Sequence, residues 1–122
     1  MQKKCLAGCV QTHILSIPYM NYRAAKAYVI NKLDRELSPK LSYHGKHHTL
    51  DVLNVVEELC EKEQVSGKDC LLVKTAALYH DAGFTITHIE HERLGCQIAR
   101  DSLHRFDYSP EDVEKICGMI MA

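Results

Sequence analysis

Two short stretches of the chain carry side chains that could bind a metal ion. The first is His44-Gly45-Lys46-His47-His48, and the second is the doublet His80-Asp81. Imidazole and carboxylate are ligands that zinc, iron, manganese and similar divalent ions accept. A carboxylate at the C-terminal end of an apolar helix is disfavoured by the partial negative charge of that end, unless a cation compensates it. The two stretches therefore predict one metal site that folding brings together.

Helical periodicity of the apolar residues predicts the elements that must position these side chains. The predicted helices cover residues 21–37, 46–64, 71–79 and 87–106, and a last one begins at Ser109. No stretch has the alternating pattern of a credible strand. We therefore expect an all-α fold, a bundle of about five helices.

Residues that favour helix ends support several of these boundaries. Asn21 is a predicted N-cap, and Ser109 followed by Pro110 predicts the start of the last helix. Thr87 with Glu90 three positions later predicts a capping box. Gly83 suits the C-terminal cap of the third helix.

The apolar stripe of the second helix predicts which of its adjacent histidines faces inward. Val52, Val55, Val56 and Leu59 follow the spacing of one helical face. One turn further back this stripe reaches His48, whereas the neighbouring His47 falls on the opposite, solvent-facing side. We therefore expect His48 to face the interior.

Two later histidines are also predicted to face inward. His80 shares a helical face with Ala76 and Ala77, and His91 lies one turn before Leu94. Gly95, next to Leu94, would allow a close backbone approach.

Each of these histidines alone is better explained as a core residue satisfied by a hydrogen bond. Together with Asp81, however, His48, His80 and His91 form a set of four groups without a buried Lys or Arg to compensate them. Such a set is costly to remove from water, and one metal ion would satisfy it.

The same residues resemble the HD-domain metal-dependent phosphohydrolases. Tyr43-His44-x-x-x-His48-Thr49-x-x-x-Leu53 looks like the early motif of that superfamily, and Ala76-Ala77-Leu78-Tyr79-His80-Asp81-x-Gly83-Phe84 looks like its His-Asp doublet with the turn that follows. The resemblance covers the N-terminal part of the domain, roughly residues 40 to 122. The distal Asp of the family would lie beyond the last helix, where this chain has no sequence. Phe at position 84, where the cyclic-di-nucleotide-cleaving subgroup has Lys, disfavours that subgroup.

The resemblance implies roles for individual residues. His48, His80 and Asp81 would bind a first divalent ion of Mn, Fe, Zn, Mg or Ni, so that Asp81 is both a metal ligand and a catalytic residue. His44 matches the proton donor to the leaving oxygen in related cyclic-nucleotide phosphodiesterases. The His91-Glu92-x-x-Gly95 stretch is similar to the segment that supplies a ligand to a second ion. The implied reaction is hydrolysis of a phosphate ester or anhydride of a nucleotide or another small phosphorylated metabolite by activated water.

Two basic residues lie near the proposed mouth of the site. Lys46 and Arg93 are candidates for binding substrate phosphate, although exposed basic residues more often only solvate a surface.

Composition limits the partners and the compartment. The chain has 15 basic and 16 acidic residues, and this balance argues against nucleic acid and against an anionic membrane as partners. No stretch approaches the roughly 18 apolar residues of a membrane span. The six cysteines include no C-x-x-C pair and are best explained as reduced, mostly buried thiols, so we expect a cytoplasmic protein.

The domain organisation predicted from the pattern is an N-terminal arm, residues 1–20, and an HD-like helical domain, residues 21–122. The apolar pattern of the last helix runs to the end of the chain, so we expect a C-terminally incomplete domain whose exposed apolar surface could drive homodimer formation. Two alternatives to a phosphohydrolase stay open. One is a non-catalytic regulatory or interaction module with a remnant metal pocket, and the other is a di-iron oxygenase on the same scaffold.

Overall fold

The computed structural model describes residues 20–37, 45–87 and 89–122. Within these ranges the chain forms five α-helices and no strand: α1 Tyr22–Glu36, α2 Lys46–Lys62, α3 Gly67–Tyr79, α4 His91–Ser102 and α5 Pro110–Met121. Two short 3₁₀ helices follow α3 and α4, at Ala82–Thr85 and Leu103–Phe106. The predicted all-α bundle of about five helices is confirmed. Of the predicted N-terminal arm only Met20 is among the described residues, and it is buried.

The predicted N-caps of the first and the last helix are both observed. The Asn21 side chain accepts a hydrogen bond from the Ala24 amide at 3.1 Å. Ser109 accepts one from the Asp112 amide at 3.1 Å, and Pro110 is the first residue of α5. Each cap satisfies a backbone N–H that has no partner within its helix. The inner faces of these two helices are buried, namely Ala25, Val29 and Leu33 in α1 and Val113, Ile116, Cys117 and Ile120 in α5.

The predicted inner face of α2 is partly wrong. Val55 and Leu59 are each 53% exposed, whereas Thr49, Leu53 and Cys60 are buried. The physical reason is that α2 has apolar residues on two adjacent faces, and packing against α3 selects the face that includes a threonine. The periodicity of apolar residues cannot identify a buried face on which a polar side chain takes part.

The predicted start of α4 at Thr87 is also wrong, because α4 begins at His91. Glu90 has a left-handed backbone with φ of 56°, which a helix started at Thr87 would not allow. The Thr87 hydroxyl accepts a hydrogen bond from the Ile89 amide at 3.2 Å, and the Glu90 carboxylate accepts one from Arg93 at 2.6 Å. These local bonds replace the predicted capping box.

Glycines let the start of α4 pack against the end of α3. The prediction that Gly83 caps α3 is wrong. His80 takes that position, and Gly83 lies within the following 3₁₀ helix. A Cβ atom at Gly83 would overlap the backbone carbonyl of His91, and one at Gly95 would lie 2.9 Å from the Tyr79 carbonyl oxygen. The close approach predicted for Gly95 is confirmed. Backbone therefore meets backbone directly beside the His80-Asp81 doublet.

Buried hydroxyl pairs hold α3 against the C-terminal half of the chain. The Tyr79 and Ser102 hydroxyls are 2.9 Å apart, and those of Thr75 and Tyr108 are 2.7 Å apart. Burial raises the pKa of Tyr79 well above its usual range, so its hydroxyl stays protonated. Because buried hydroxyls require partners, these pairs fix the register of α3, which carries the doublet.

The four described cysteines are free thiols, and three of them are buried. Cys96 of α4 and Cys117 of α5 are both buried, and each thiol donates to the backbone carbonyl of the other residue, at 3.5 and 3.7 Å. Burial, followed by the hydrogen bond to Cys96, raises the pKa of Cys117 from 9.0 to about 12. Folding therefore favours the protonated thiol.

This pKa shift predicts a loss of stability in alkali. Because the pKa of Cys117 is higher in the folded chain than in the unfolded chain, its contribution is complete below about pH 9 and falls as the pH rises toward about 12. We expect the free energy of unfolding to fall by about 1 kcal/mol between about pH 8 and about pH 10. Urea unfolding followed by circular dichroism would measure this. The slope should be smaller in Cys117→Ala, and an unchanged slope in that variant would contradict the assignment.

None of the helices in the described ranges combines the length and the apolar composition that crossing a bilayer requires.

Candidate metal centre

The candidate site lies where the first turn of α2 meets the end of α3. His48 belongs to that first turn, His80 is the C-cap of α3, and Asp81 is the next residue. One ligand atom from each of these residues lies within 4.8 Å of the other two. This is the group that the sequence predicted as the first metal site, assembled from stretches that are 32 residues apart in the numbering.

A backbone carbonyl determines the orientation of His80. Its Nδ1 atom lies 2.6 Å from the carbonyl oxygen of Ala77, one turn earlier in α3. A carbonyl oxygen only accepts hydrogen bonds, so Nδ1 must carry the proton. In the neutral ring the lone pair is then on Nε2, on the side facing Asp81. Metal-binding histidines are commonly held in this way by a hydrogen bond from the second ring nitrogen.

The contacts of Asp81 show why this arrangement fits a cation. Its Oδ1 lies 3.2 Å from His80 Nε2, and its Oδ2 lies 3.3 Å from His48 Nε2. A lone pair on His80 Nε2 facing a carboxylate oxygen is repulsive unless a positive charge lies between them. That charge is either a proton on the imidazole or a metal ion. Two imidazole nitrogens and one carboxylate oxygen form a donor set that Zn, Mn and Fe accept, so the residues present fit a divalent ion.

Burial differs among the three ligands in a way that suits a site with access to solvent. The Asp81 side chain is only 4% exposed, whereas those of His48 and His80 are 26% and 34% exposed. The carboxylate is thus enclosed by protein, and the imidazoles form the wall between it and water. The solvent-exposed part of this group is therefore on the side of the imidazoles.

The two neighbouring histidines of α2 are separated as predicted. His47 is exposed, while His48 is half-buried and reaches Asp81. The prediction for His48 is right even though the stripe from which it was extended is partly wrong, because His48 adjoins the fully buried Thr49. Whether His48 binds a metal stays a prediction.

His91 does not join the group of three in the described structure. Its ring stacks on Phe84 with the centroids 4.0 Å apart and an interplanar angle of 23°, and its Nε2 lies 3.5 Å from a carboxylate oxygen of Glu92. The predicted role as a ligand of a second ion therefore stays a prediction. His44, the predicted proton donor, lies outside the described residues.

The two predicted phosphate-binding residues are engaged with carboxylates. Lys46 Nζ lies 3.2 Å from Asp34, and Arg93 Nε lies 2.6 Å from Glu90. Both side chains are more than one third exposed, so these surface pairs are worth little energy and either cation could leave its partner. Their contact with substrate stays a prediction.

Two features of the site were not predicted from the sequence. They are the Ala77 carbonyl that orients His80 and the Phe84 ring stacked on His91. The first had a detectable signal. A histidine at a helix C-terminus lies within reach of the carbonyls three and four residues before it, and these lack partners within the helix. The second had none, because Phe84 and His91 meet only through the close packing of Gly83 against α4.

Comparison with known proteins gives one family and one relative. The family model described as HD domain matches residues 45–120, more than half of the chain. An uncharacterized protein of Clostridium beijerinckii is 29% identical over 84 residues, which cover 66% of this chain and 53% of that protein. The chain thus spans about half the length of this curated relative. No solved structure matches with significance. The matched range includes His48, His80 and Asp81 and begins one residue after His44.

Proposed function

Since the chain belongs to the HD-domain superfamily of metal-dependent phosphohydrolases, we propose that it hydrolyses a phosphate ester or anhydride of a nucleotide or another small phosphorylated metabolite. The observation that supports this most is the convergence of His48, His80 and Asp81 within 4.8 Å. This reaction is proposed for the whole protein, which can be longer than the present chain.

Each residue of the group has a separate task in the proposed site. Asp81 supplies the negative charge, and burial keeps water from competing for its oxygens. His80 presents Nε2 because its Nδ1–H donates to the Ala77 carbonyl, and His48 adds a second imidazole from α2. A divalent ion held there would supply Lewis-acid activation of water and of phosphoryl oxygens.

His44 is the proposed general acid. Cleavage of a phosphate ester leaves an alkoxide, and a positioned imidazolium accelerates that step by donating a proton to it. Support comes from the sequence motif, in which His44 precedes His48 by four residues. His91 is the proposed ligand for a second ion, and in the structure its ring is stacked on Phe84.

A regulatory or interaction module remains a second candidate because of two specific observations. Lys46 and Arg93 are held by carboxylates, and His91 is stacked on an aromatic ring. Among the described residues the two candidate phosphate-binding cations are thus paired with carboxylates, an arrangement that a relative without phosphate turnover could also keep. The oxygenase alternative has no such support among the described residues.

The proposed reaction is tested with chromogenic phosphate monoesters and diesters and with nucleotides, using protein loaded with Mn. We expect hydrolysis that stops on chelation and resumes when Mn is added, at the same rate with and without oxygen. His44→Ala should slow the reaction at least about tenfold. His47→Ala, which changes an exposed histidine on the same stretch, should leave the rate within about twofold.

The other outcomes separate the alternatives. Stoichiometric metal binding without turnover of any probe would contradict the hydrolase and favour the regulatory module. A reaction that consumes oxygen and requires two bound irons would instead identify an oxygenase.

A further inference from the structure

Two thiols meet at the end of the α2–α3 pair that is remote from the candidate metal centre. Cys60 lies in the last turn of α2, and Cys70 lies in the first turn of α3. Both residues line the same surface cleft, together with Glu57, Glu61 and Lys74. At a helical rise of 1.5 Å per residue, Cys60 lies roughly 18 Å along α2 from His48. The thiol pair is therefore separate from the metal centre.

Both thiols line the same cleft, and the Cys70 thiol lies close enough to Cys60 to affect its titration. A hydrogen bond with Cys70, with a smaller contribution from burial, raises the pKa of Cys60 from 9.0 to about 11. Cys60 is 7% exposed, whereas Cys70 is half-buried and more open to the cleft. The Cys70 thiol is therefore the more accessible to a reagent in solution, and the Cys60 thiol beside it is buried.

Backbone hydrogen bonds hold the two thiols in place. The Val65 amide donates to the Cys60 carbonyl at 2.9 Å, and the Cys70 amide donates to the Ser66 carbonyl at 2.8 Å. On the same side of the helix pair, Lys74 of α3 bonds to Glu57 of α2 at 2.9 Å. The turn between the helices is thus fixed at both ends, which holds the two cysteines on neighbouring parts of α2 and α3.

We propose that Cys60 and Cys70 form a redox-modification site that is converted to a disulfide by a small disulfide such as oxidised glutathione. This proposal does not depend on the proposed phosphohydrolase activity. The pair differs from two core cysteines because both residues line a surface cleft and Cys70 is only half-buried.

The reaction is an exchange of two thiols for one disulfide. Cys70, the more accessible residue, loses its proton and attacks one sulfur of glutathione disulfide, whose S–S bond breaks to release one glutathione thiolate. Cys60 then loses its proton and attacks the Cys70 sulfur, releasing the second glutathione. Two protein thiols are oxidised by two electrons, one glutathione disulfide is reduced to two glutathione thiols, and these take up the two protons. The raised pKa of Cys60 lowers its thiolate fraction, so Cys70 takes the first step; in the second, intramolecular step the high local concentration offsets that low fraction.

The disulfide would join the two helices that carry the candidate metal ligands. His48 lies on α2, and His80 with Asp81 lies at the end of α3, so a link between Cys60 and Cys70 would restrain both arms of the site from the opposite end. Closing the turn covalently would also stabilise the folded chain by restricting the unfolded one.

A second cysteine pair in the same molecule provides an internal control. Cys96 and Cys117 also contact each other, but they are only 2% and 3% exposed. If contact between thiols alone determined oxidation, both pairs would react equally. If access through the cleft determines it, Cys60 and Cys70 should react at least about tenfold faster.

The test uses the reduced, full-length chain incubated with glutathione disulfide, followed by alkylation of free thiols under denaturing conditions, trypsin and mass spectrometry. The expected product is the peptide His47–Lys62 joined to Asp69–Lys74, two hydrogens lighter than the sum of the two peptides. The peptides of Cys96 and Cys117 should remain alkylated. Thermal unfolding should show a higher midpoint for the oxidised chain, restored to the original value by a reductant.

Two variants determine the order of steps. Cys60→Ala should stop at one glutathione on Cys70, and Cys70→Ser should leave Cys60 unmodified. Circular dichroism confirms that each is folded. The proposal is overturned if the wild-type chain keeps both residues alkylated, stops at the mixed disulfide, or oxidises Cys96 and Cys117 at the same rate.

Discussion

Replacing Asp81 with asparagine is expected to lower the affinity for a divalent metal by at least about 100-fold. Asparagine keeps the shape of the side chain but removes the charge against which His48 and His80 are placed at 3.3 and 3.2 Å. Titration of the metal-free protein with Mn or Zn, followed by calorimetry, measures the loss. The matched control is Asp51→Asn, an exposed carboxylate on α2, which should bind metal like the wild type.

The same variant separates a metal ligand from a structural carboxylate. A ligand that binds only the folded protein at 100 times its Kd stabilises it by about 2.7 kcal/mol. Metal should therefore raise the unfolding temperature of the wild type and of Asp51→Asn, but not that of Asp81→Asn. Without metal, Asp81→Asn should still unfold in one cooperative transition, which separates the loss of the metal effect from a loss of the fold. A strongly destabilised metal-free variant would mean that Asp81 serves the fold.

Gly83→Ala is expected to destabilise the chain by about 2 to 3 kcal/mol. The added methyl group would overlap the backbone carbonyl of His91, which cannot move without shifting the start of α4. Urea unfolding followed by circular dichroism measures the effect.

Gly118→Ala provides the matched control, because a Cβ atom there meets nothing within 4 Å and Gly118 lies within α5. This substitution should be neutral or stabilise the chain by up to about 1 kcal/mol, since alanine favours the helix. Equal effects of the two substitutions would contradict the close packing of the 3₁₀ helix after α3 against α4.

The starts of the first and the last helix could be predicted because their signals are local. An Asn or Ser side chain caps the helix that follows it whatever the rest of the chain does, and both Asn21 and Ser109 do so. The start of α4 could not be predicted in this way. Thr87 and Glu90 have the right residue types for a capping box, but the close packing of Gly83 on His91 requires the chain to turn there first.

The candidate site was predictable to the extent that it depends on adjacent residues. His80 and Asp81 directly follow an apolar helix, so the sequence alone places them side by side at the end of that helix. The contact of His48 with Asp81 depends on how α2 packs against α3, which the apolar pattern of α2 describes incorrectly at Val55 and Leu59. The position of His91 depends on tertiary packing at Gly83 and Gly95, which the spacing of apolar residues cannot predict.

The central claim is that His48, His80 and Asp81 bind a divalent metal ion, and elemental analysis of protein purified without chelating resin tests it most directly. We expect at least about one equivalent of transition metal in the wild type, the same content in His47→Ala, and a loss of most of it in His80→Ala. The comparison is internal, because His47 is an exposed histidine on α2 and His80 is oriented by the Ala77 carbonyl. A wild-type chain without metal, or a His80→Ala variant with the wild-type content, would contradict the assignment.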